Sequence, residues 1–135
     1  MKKISTFLMF QDYNAEEAMN FYTSIIEDSE ITSITRYGPN EQGKEGTIMN
    51  ATFTLKGQNF MVFDSFVKHK FDFTPAISIF LTCDSEEELD HLYEKLGEGG
   101  VALMPLGDYG FSQKFGWVND KFGVSWQIDL PKEDN

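Results

Sequence analysis

The chain has 135 residues and a formal net charge of −11, from 11 Lys+Arg against 22 Asp+Glu, with a pI near 4.4. Such a surface repels phosphate backbones, which excludes nucleic-acid binding as a function class. A chain of this length is one domain by default and buries roughly 68% of the surface its unfolded form exposes, enough for a core without staples.

Residues 4–10 are nearly all apolar and too few for a helix, so they are expected to form a buried strand. Asn14 then opens a helix. It is a good N-cap, Glu17 follows three residues on as in a capping box, and Ala15, Ala18, Met19, Tyr22, Ile25 and Ile26 recur at the helical period. Residues 31–37 are β-branched and predict a strand, and the Gly, Pro and Asn positions from 38 to 46 predict a polar loop. From 47 to 55 the pattern alternates, with Met49, Ala51, Phe53 and Leu55 on one face and Ile48, Asn50, Thr52 and Thr54 on the other. A turn at Lys56 and Gly57 leads into residues 59–64, which completes a hairpin.

After a basic loop with Lys68, His69 and Lys70 the same order begins again. Residues 76–83 predict a strand, Ser85 with Glu88 a second capping box, and Leu89, Leu92, Tyr93 and Leu96 a helical stripe that Gly97, Gly99 and Gly100 stop. Three short strands follow, around 101–104, 114–118 and 124–130. The order is βαβββ, then βαβββ. Aligning the two helices at one constant offset matches Glu16 with Glu87, Glu17 with Glu88 and Tyr22 with Tyr93. Two such units, each too small to bury a sheet face alone, are expected to share a core.

Several motifs are absent from the sequence. There is no C-x-x-C, H-E-x-x-H, G-x-x-x-x-G-K-S/T or G-x-G-x-x-G, so short-motif zinc and nucleotide readings have no footing. The uncharged run over residues 4–11 falls far short of the roughly 20 residues of a membrane span, and the start lacks the apolar core of a secretory signal. Cys83 is the single cysteine. No internal disulfide can form, which suits a reducing cytoplasm.

The opening Phe10-x-Asp12-x-Asn14-Ala15-Glu16-Glu17-Ala18-x-x-Phe21-Tyr22, the middle Phe73-Thr74-Pro75-Ala76-Ile77-Ser78 and the close Gly116-Trp117-Val118-x-Asp120-Lys121-Phe122-Gly123-Val124-Ser125-Trp126-Gln127-Ile128 resemble the PhnB-like branch of the vicinal oxygen chelate superfamily. That superfamily includes glyoxalase, bleomycin-resistance proteins and extradiol dioxygenases. The branch is often labelled 3-demethylubiquinone-9 3-methyltransferase. The resemblance implies an α+β fold: two βαβββ modules form a cup-shaped, mostly antiparallel sheet with the helices outside. It places the first module at residues 1–66 and the second at 73–131 of a single domain, 1–135. It also implies a homodimer.

The methyltransferase label conflicts with the sequence, because the usual enzymes of that kind carry a glycine-rich turn in a parallel doubly wound sheet. In similar glyoxalase-type enzymes a divalent metal is held by a His or Gln on the first strand and a Glu on the last strand of each module. Carried across by motif, those positions are Ser5 or Phe7 and Met61 or Val62 in the first module, and Ser78 and Gln127 in the second. Divalent transition metals want imidazole or carboxylate, so no metal and no other cofactor is expected.

The expected function is the binding of a small, partly apolar ligand in an aromatic-lined cup, with Phe7, Ser78, Phe80, Gln113, Trp117 and Gln127 around it and Tyr109, Gly110 and Phe111 at its rim. The alternative is a metal-dependent isomerase, lyase or dioxygenase of the same superfamily. If the protein is an enzyme, Asp64 and His69 are the candidate general bases. Cys83, at a strand end before a helix N-terminus, is expected to be a small buried packing residue, the alternative being a thiol whose pKa the helix depresses. Eleven of the acids lie in or beside the two predicted helices, so the negative excess belongs to the outer surface.

Overall fold

The protein is described by a computed structural model covering residues 1–133. The chain divides into two compact units, Met1–Lys70 and the remainder from Phe71. The first contains β1 (Thr6–Phe10), α1 (Ala15–Ile25), β2 (Ser29–Arg36), β3 (Ile48–Leu55) and β4 (Gln58–Asp64). The second repeats the order with β5 (Ile79–Thr82), α2 (Glu86–Gly97), β6 (Val101–Gly107), β7 (Lys114–Asn119) and β8 (Ser125–Leu130). Both sheets have four strands, ordered β1-β4-β3-β2 and β5-β8-β7-β6. In each, the first strand runs parallel to the last and the other pairs are antiparallel. The expected double βαβββ order is therefore present, and each expected module falls within one unit.

In the first unit, α1 buries Ala15, Ala18, Met19 and Tyr22, the stripe its periodicity predicts, and the Tyr22 ring packs 6.5 Å from Phe53. Its N-terminus departs from expectation. Asn14 makes no side-chain cap bond. Instead Asp64, at the end of β4 and only 2% exposed, accepts from the Ala15 N–H through Oδ1 at 3.0 Å and from the Ile48 N–H through Oδ2 at 2.8 Å. One carboxylate thus ties the start of the helix and the start of β3 to the end of β4, and it supplies the negative charge that a helix N-terminus favours. Glu16 is drawn outward, where both its oxygens accept from Arg36 on β2 at 2.8 and 2.6 Å. That pairing lowers the Glu16 pKa.

The face assignment of β3 also needs correction. Ile48, Ala51, Phe53 and Leu55 are its buried residues, whereas Met49 is partly exposed. The register explains this. Thr35 pairs with Asn50 but Arg36 pairs with Ile48, so Met49 is the extra residue of a β-bulge that flips the alternation by one. At the other end, Lys56 and Gly57 both have positive φ, 50° and 80°. They form the tight two-residue turn that the twist of a hairpin prefers.

In the second unit the forward half of the expected capping box is made, and the return bond falls one residue before the cap. The Glu88 N–H donates to Ser85 Oγ at 3.1 Å, and Glu88 Oε1 reaches back to the Asp84 N–H at 3.0 Å. Leu89, Leu92 and Leu96 form the buried stripe of α2. Lys114 donates to Asp90 and Glu86 at 2.8 and 3.0 Å, and those two acids, Asp90 foremost, raise its pKa. Tyr93 lies so close over Gly116 that a Cβ there would stand 2.7 Å from its ring. These contacts fix which side of β7 faces the helix: Lys114, Gly116 and Val118. Their pairing partners Leu130, Ile128 and Trp126 on β8 share that side, and all three are buried. Asp120 closes the β7–β8 turn, accepting from the N–H groups of Phe122 and Val124 and from Trp126 Nε1. The strand expected over 76–83 spans only Ile79–Thr82, and that expected over 101–104 extends to Gly107.

Candidate functional site

With one side of the second sheet committed to α2, alternation gives the other side to Phe80 and Thr82 on β5, Phe115 and Trp117 on β7, and Ser125, Gln127 and Asp129 on β8. Two groups stand out on this helix-free face. The first is polar. Trp117 Nε1 donates to Ser125 Oγ at 2.8 Å, Ser125 and Ser78 share a hydroxyl hydrogen bond of 2.7 Å, and Gln127 Nε2 donates to Ser78 Oγ at 3.2 Å. Ser125 is buried and its oxygen already accepts from the indole, so its proton is best placed on Ser78. The Ser78 O–H and Gln127 Oε1 are then one donor and one acceptor for an incoming molecule.

The second group is aromatic. Phe115 is buried beneath Phe111, edge-on at 5.0 Å, Tyr109, edge-on at 6.2 Å, and Phe80 at 6.4 Å. Tyr109 stacks on Phe111 at 6.2 Å and its hydroxyl donates to the Pro105 carbonyl. Phe80 and Phe111 stay 54% and 60% exposed, which is unusual for phenylalanine. Beside them Asp129, paired in register with Phe115 and Thr82, accepts from the Ser112 hydroxyl through Oδ1.

Four of the six ligand residues expected from sequence, Ser78, Phe80, Trp117 and Gln127, therefore share one face of one sheet. Gln113 lies at its margin, exposed, with its backbone N–H donating to the Leu130 carbonyl; the neighbouring Ser112 is the residue that engages a side chain. Phe7 belongs to the other unit. It lies on β1, exposed, with its ring 4.9 Å from Phe63. The candidate bases stand elsewhere in that unit: Asp64 has both oxygens on backbone N–H groups, and His69 follows β4 half-buried with its backbone N–H on Gln11 Oε1 at 2.5 Å. Cys83 takes the packing role expected of it. It is buried, and its thiol pKa is pushed up to about 12, first by burial and then by Glu88, so the thiol is not activated by the helix that follows it. Asp129 and Ser112 were missed, although period-two counting from Gln127 leads to Asp129.

The donor chemistry does not fit a catalytic metal. Among the described residues no three His, Cys, Asp or Glu side chains gather as a ligand set. Of the positions at which the superfamily holds its ion, Ser78 and Gln127 are hydrogen-bonded to each other and Val62 is buried.

Two four-stranded mixed sheets, each with a helix on one face and each built as βαβββ, define the glyoxalase/bleomycin-resistance/dioxygenase class. A glyoxylase/bleomycin resistance protein/dioxygenase domain from Frankia shares this fold at 18% identity, with a TM-score of 0.68 over 100% of this chain and 96% of that one. So does a fosfomycin resistance protein from Listeria monocytogenes at 13% identity, TM-score 0.65, over 98% of this chain and 94% of that one. Within the class, residues 2–129 match the family described as 3-demethylubiquinone-9 3-methyltransferase, and the chain belongs to that family. A PhnB protein from Bacillus cereus in the same family description is 61% identical, with a TM-score of 0.92 over 96% of this chain and 99% of that one. No curated protein matches the chain.

Proposed function

We propose that the protein binds a small, partly apolar molecule against the helix-free face of its second sheet, and that it does so without a metal or another cofactor. The observation that carries this reading is the exposure of Phe80 and Phe111 around buried Phe115, next to a hydrogen-bonded polar set with one donor and one acceptor to spare. An apolar surface with a few fixed polar groups is the usual make-up of a small-molecule site. Catalysis by transfer of a methyl group finds no support in the chain, which has mixed sheets of hairpins and lacks the glycine-rich turn of nucleotide cofactor sites.

A two-dimensional amide NMR screen against a metabolite and antibiotic library tests the reading. Ligands that bind are expected to shift resonances of Phe80, Trp117 and Gln127. A broad library that shifts none of them overturns it. We further propose a homodimer in a cytoplasmic setting. Edge strand β1 carries exposed Phe7, and exposed Ile4 and Ile77 lie just before β1 and β5, apolar surface that usually acquires a partner. No helix among the described residues is long and apolar enough to cross a membrane. Light scattering after gel filtration is expected to give twice the 15.5 kDa chain mass.

A further inference from the structure

Three aspartates are buried among the described residues, and their surroundings differ. Asp64 accepts two backbone N–H bonds. Asp120 accepts two backbone N–H bonds and an indole N–H. Asp129, 8% exposed, receives only the Ser112 hydroxyl, at Oδ1. Among the described residues Oδ2 has no hydrogen-bond donor and Asp129 has no ion-pair partner. Lys132 is directed elsewhere on this side of the unit: its Nζ donates to the Gly110 carbonyl at 2.8 Å. Lys114 points to the helix side, onto Glu86 and Asp90.

A carboxylate that is nine-tenths buried normally has a cation or several donors to offset its desolvation. Asp129 has neither among the described residues, and its second oxygen is not fully buried and so opens to solvent. It stands in register beside Phe115, whose ring lies under Phe80, Tyr109 and Phe111. Aromatic faces attract a cation through their quadrupole, most strongly when water is excluded. The geometry points to a small organic cation, an amine or quaternary ammonium bearing apolar groups, as the ligand class of this face: the charged nitrogen sits against Asp129 and its carbon substituents against Phe80, Phe111 and Phe115. The excess negative charge of the chain favours the approach of such a cation from a distance. This inference rests on the binding reading above and narrows it.

The test is an amide NMR titration with three probes of similar size: benzyltrimethylammonium, benzyl alcohol and benzoate. The ammonium is expected to bind at least tenfold more tightly than the alcohol, with benzoate weakest, and to shift the resonances around Phe80, Phe115 and Asp129. In Asp129→Asn the preference for the ammonium over the alcohol is expected to fall to within about twofold, while the affinity for the alcohol is retained. Phe111→Ala, at an exposed position, is expected to weaken both. Equal binding of ammonium and alcohol by the wild-type protein overturns the cation inference and leaves the broader reading standing; that comparison needs no variant to fold. A preference that survives Asp129→Asn overturns it too. If none of the three probes, nor any member of the wider library, shifts this face, the binding reading falls and takes the inference with it.

Discussion

Asp64 offers the sharpest quantitative test of how the first unit is held together. Its two oxygens serve two backbone N–H groups, one at the first turn of α1 and one at the first residue of β3. Replacing it by Ala leaves both donors buried and unpaired at about 1–3 kcal/mol each, so about 2–6 kcal/mol of stability is lost. Asn keeps one acceptor oxygen but turns an amide NH₂ toward the other donor, so Asp64→Asn is expected to lose about half as much. Against the roughly 5–15 kcal/mol by which a domain is stable, either loss is large. Urea unfolding followed by circular dichroism gives the stability, and hydrogen exchange gives the site: the Ala15 and Ile48 amides should lose protection before the rest of the unit. The control is Asp12→Asn, which removes an exposed pair with Lys68 and is expected to change stability by less than about 1 kcal/mol. If Asp64→Asn proves as mild as the control, the bridging role is refuted.

Other consequences of the packing are open to similar measurement. A Cβ at Gly100 would lie 2.1 Å from the Asn119 carbonyl oxygen, a clash with backbone, so Gly100→Ala is expected to lower the thermal midpoint by several degrees, roughly what 1–3 kcal/mol produces in a domain of this size; an unchanged midpoint would contradict it. Because burial raises the Cys83 thiol, a disulfide reagent at pH 8 should label it at least about a hundredfold more slowly in the native protein than in urea, and equal rates would show the thiol to be accessible. The same raised pKa makes stability independent of this group below about pH 9, where the thiol is protonated both folded and unfolded, with loss setting in as pH rises toward 12. Ser125→Ala strands the Trp117 N–H and one partner of Ser78, so about 1–3 kcal/mol should be lost together with a change in tryptophan emission; the absence of both would discount the polar set.

The order of elements was legible because each depends on near neighbours. The stripe of α1, the Ser85 cap of α2 and the Lys56-Gly57 turn all arise within a few residues of chain. What escaped was non-local. The acceptor at the N-terminus of α1 comes from Asp64, 49 residues beyond Ala15, so the local Asn14 and Glu17 signal pointed to the wrong cap. The bulge at Met49 is a property of how β2 and β3 pair, and no alternation count on β3 alone reveals it. At Cys83 the packing reading holds over the helix-activated one: the helix N-terminus is adjacent in sequence, but burial and the Glu88 carboxylate decide the thiol's state. Of the proposed ligand residues, Ser78, Phe80, Trp117 and Gln127 share one face of the second sheet. One alternation step beyond Gln127 lies Asp129, whose interest is in what it lacks.

Asp64 and Asp129 occupy matching stations, each paired with the last residue of its module's first strand, Phe10 and Thr82. One turns toward a helix and is consumed in holding the backbone; the other turns away and is held by a single hydroxyl. On the proposed reading the two units divide the labour. Changes at the first station should be purged because they weaken the fold, whereas on the proposed reading changes at the second alter what the face accepts. Diversification of ligand preference in such a protein then has a natural address, the helix-free side of the second half, and the first half can stay constant while it proceeds.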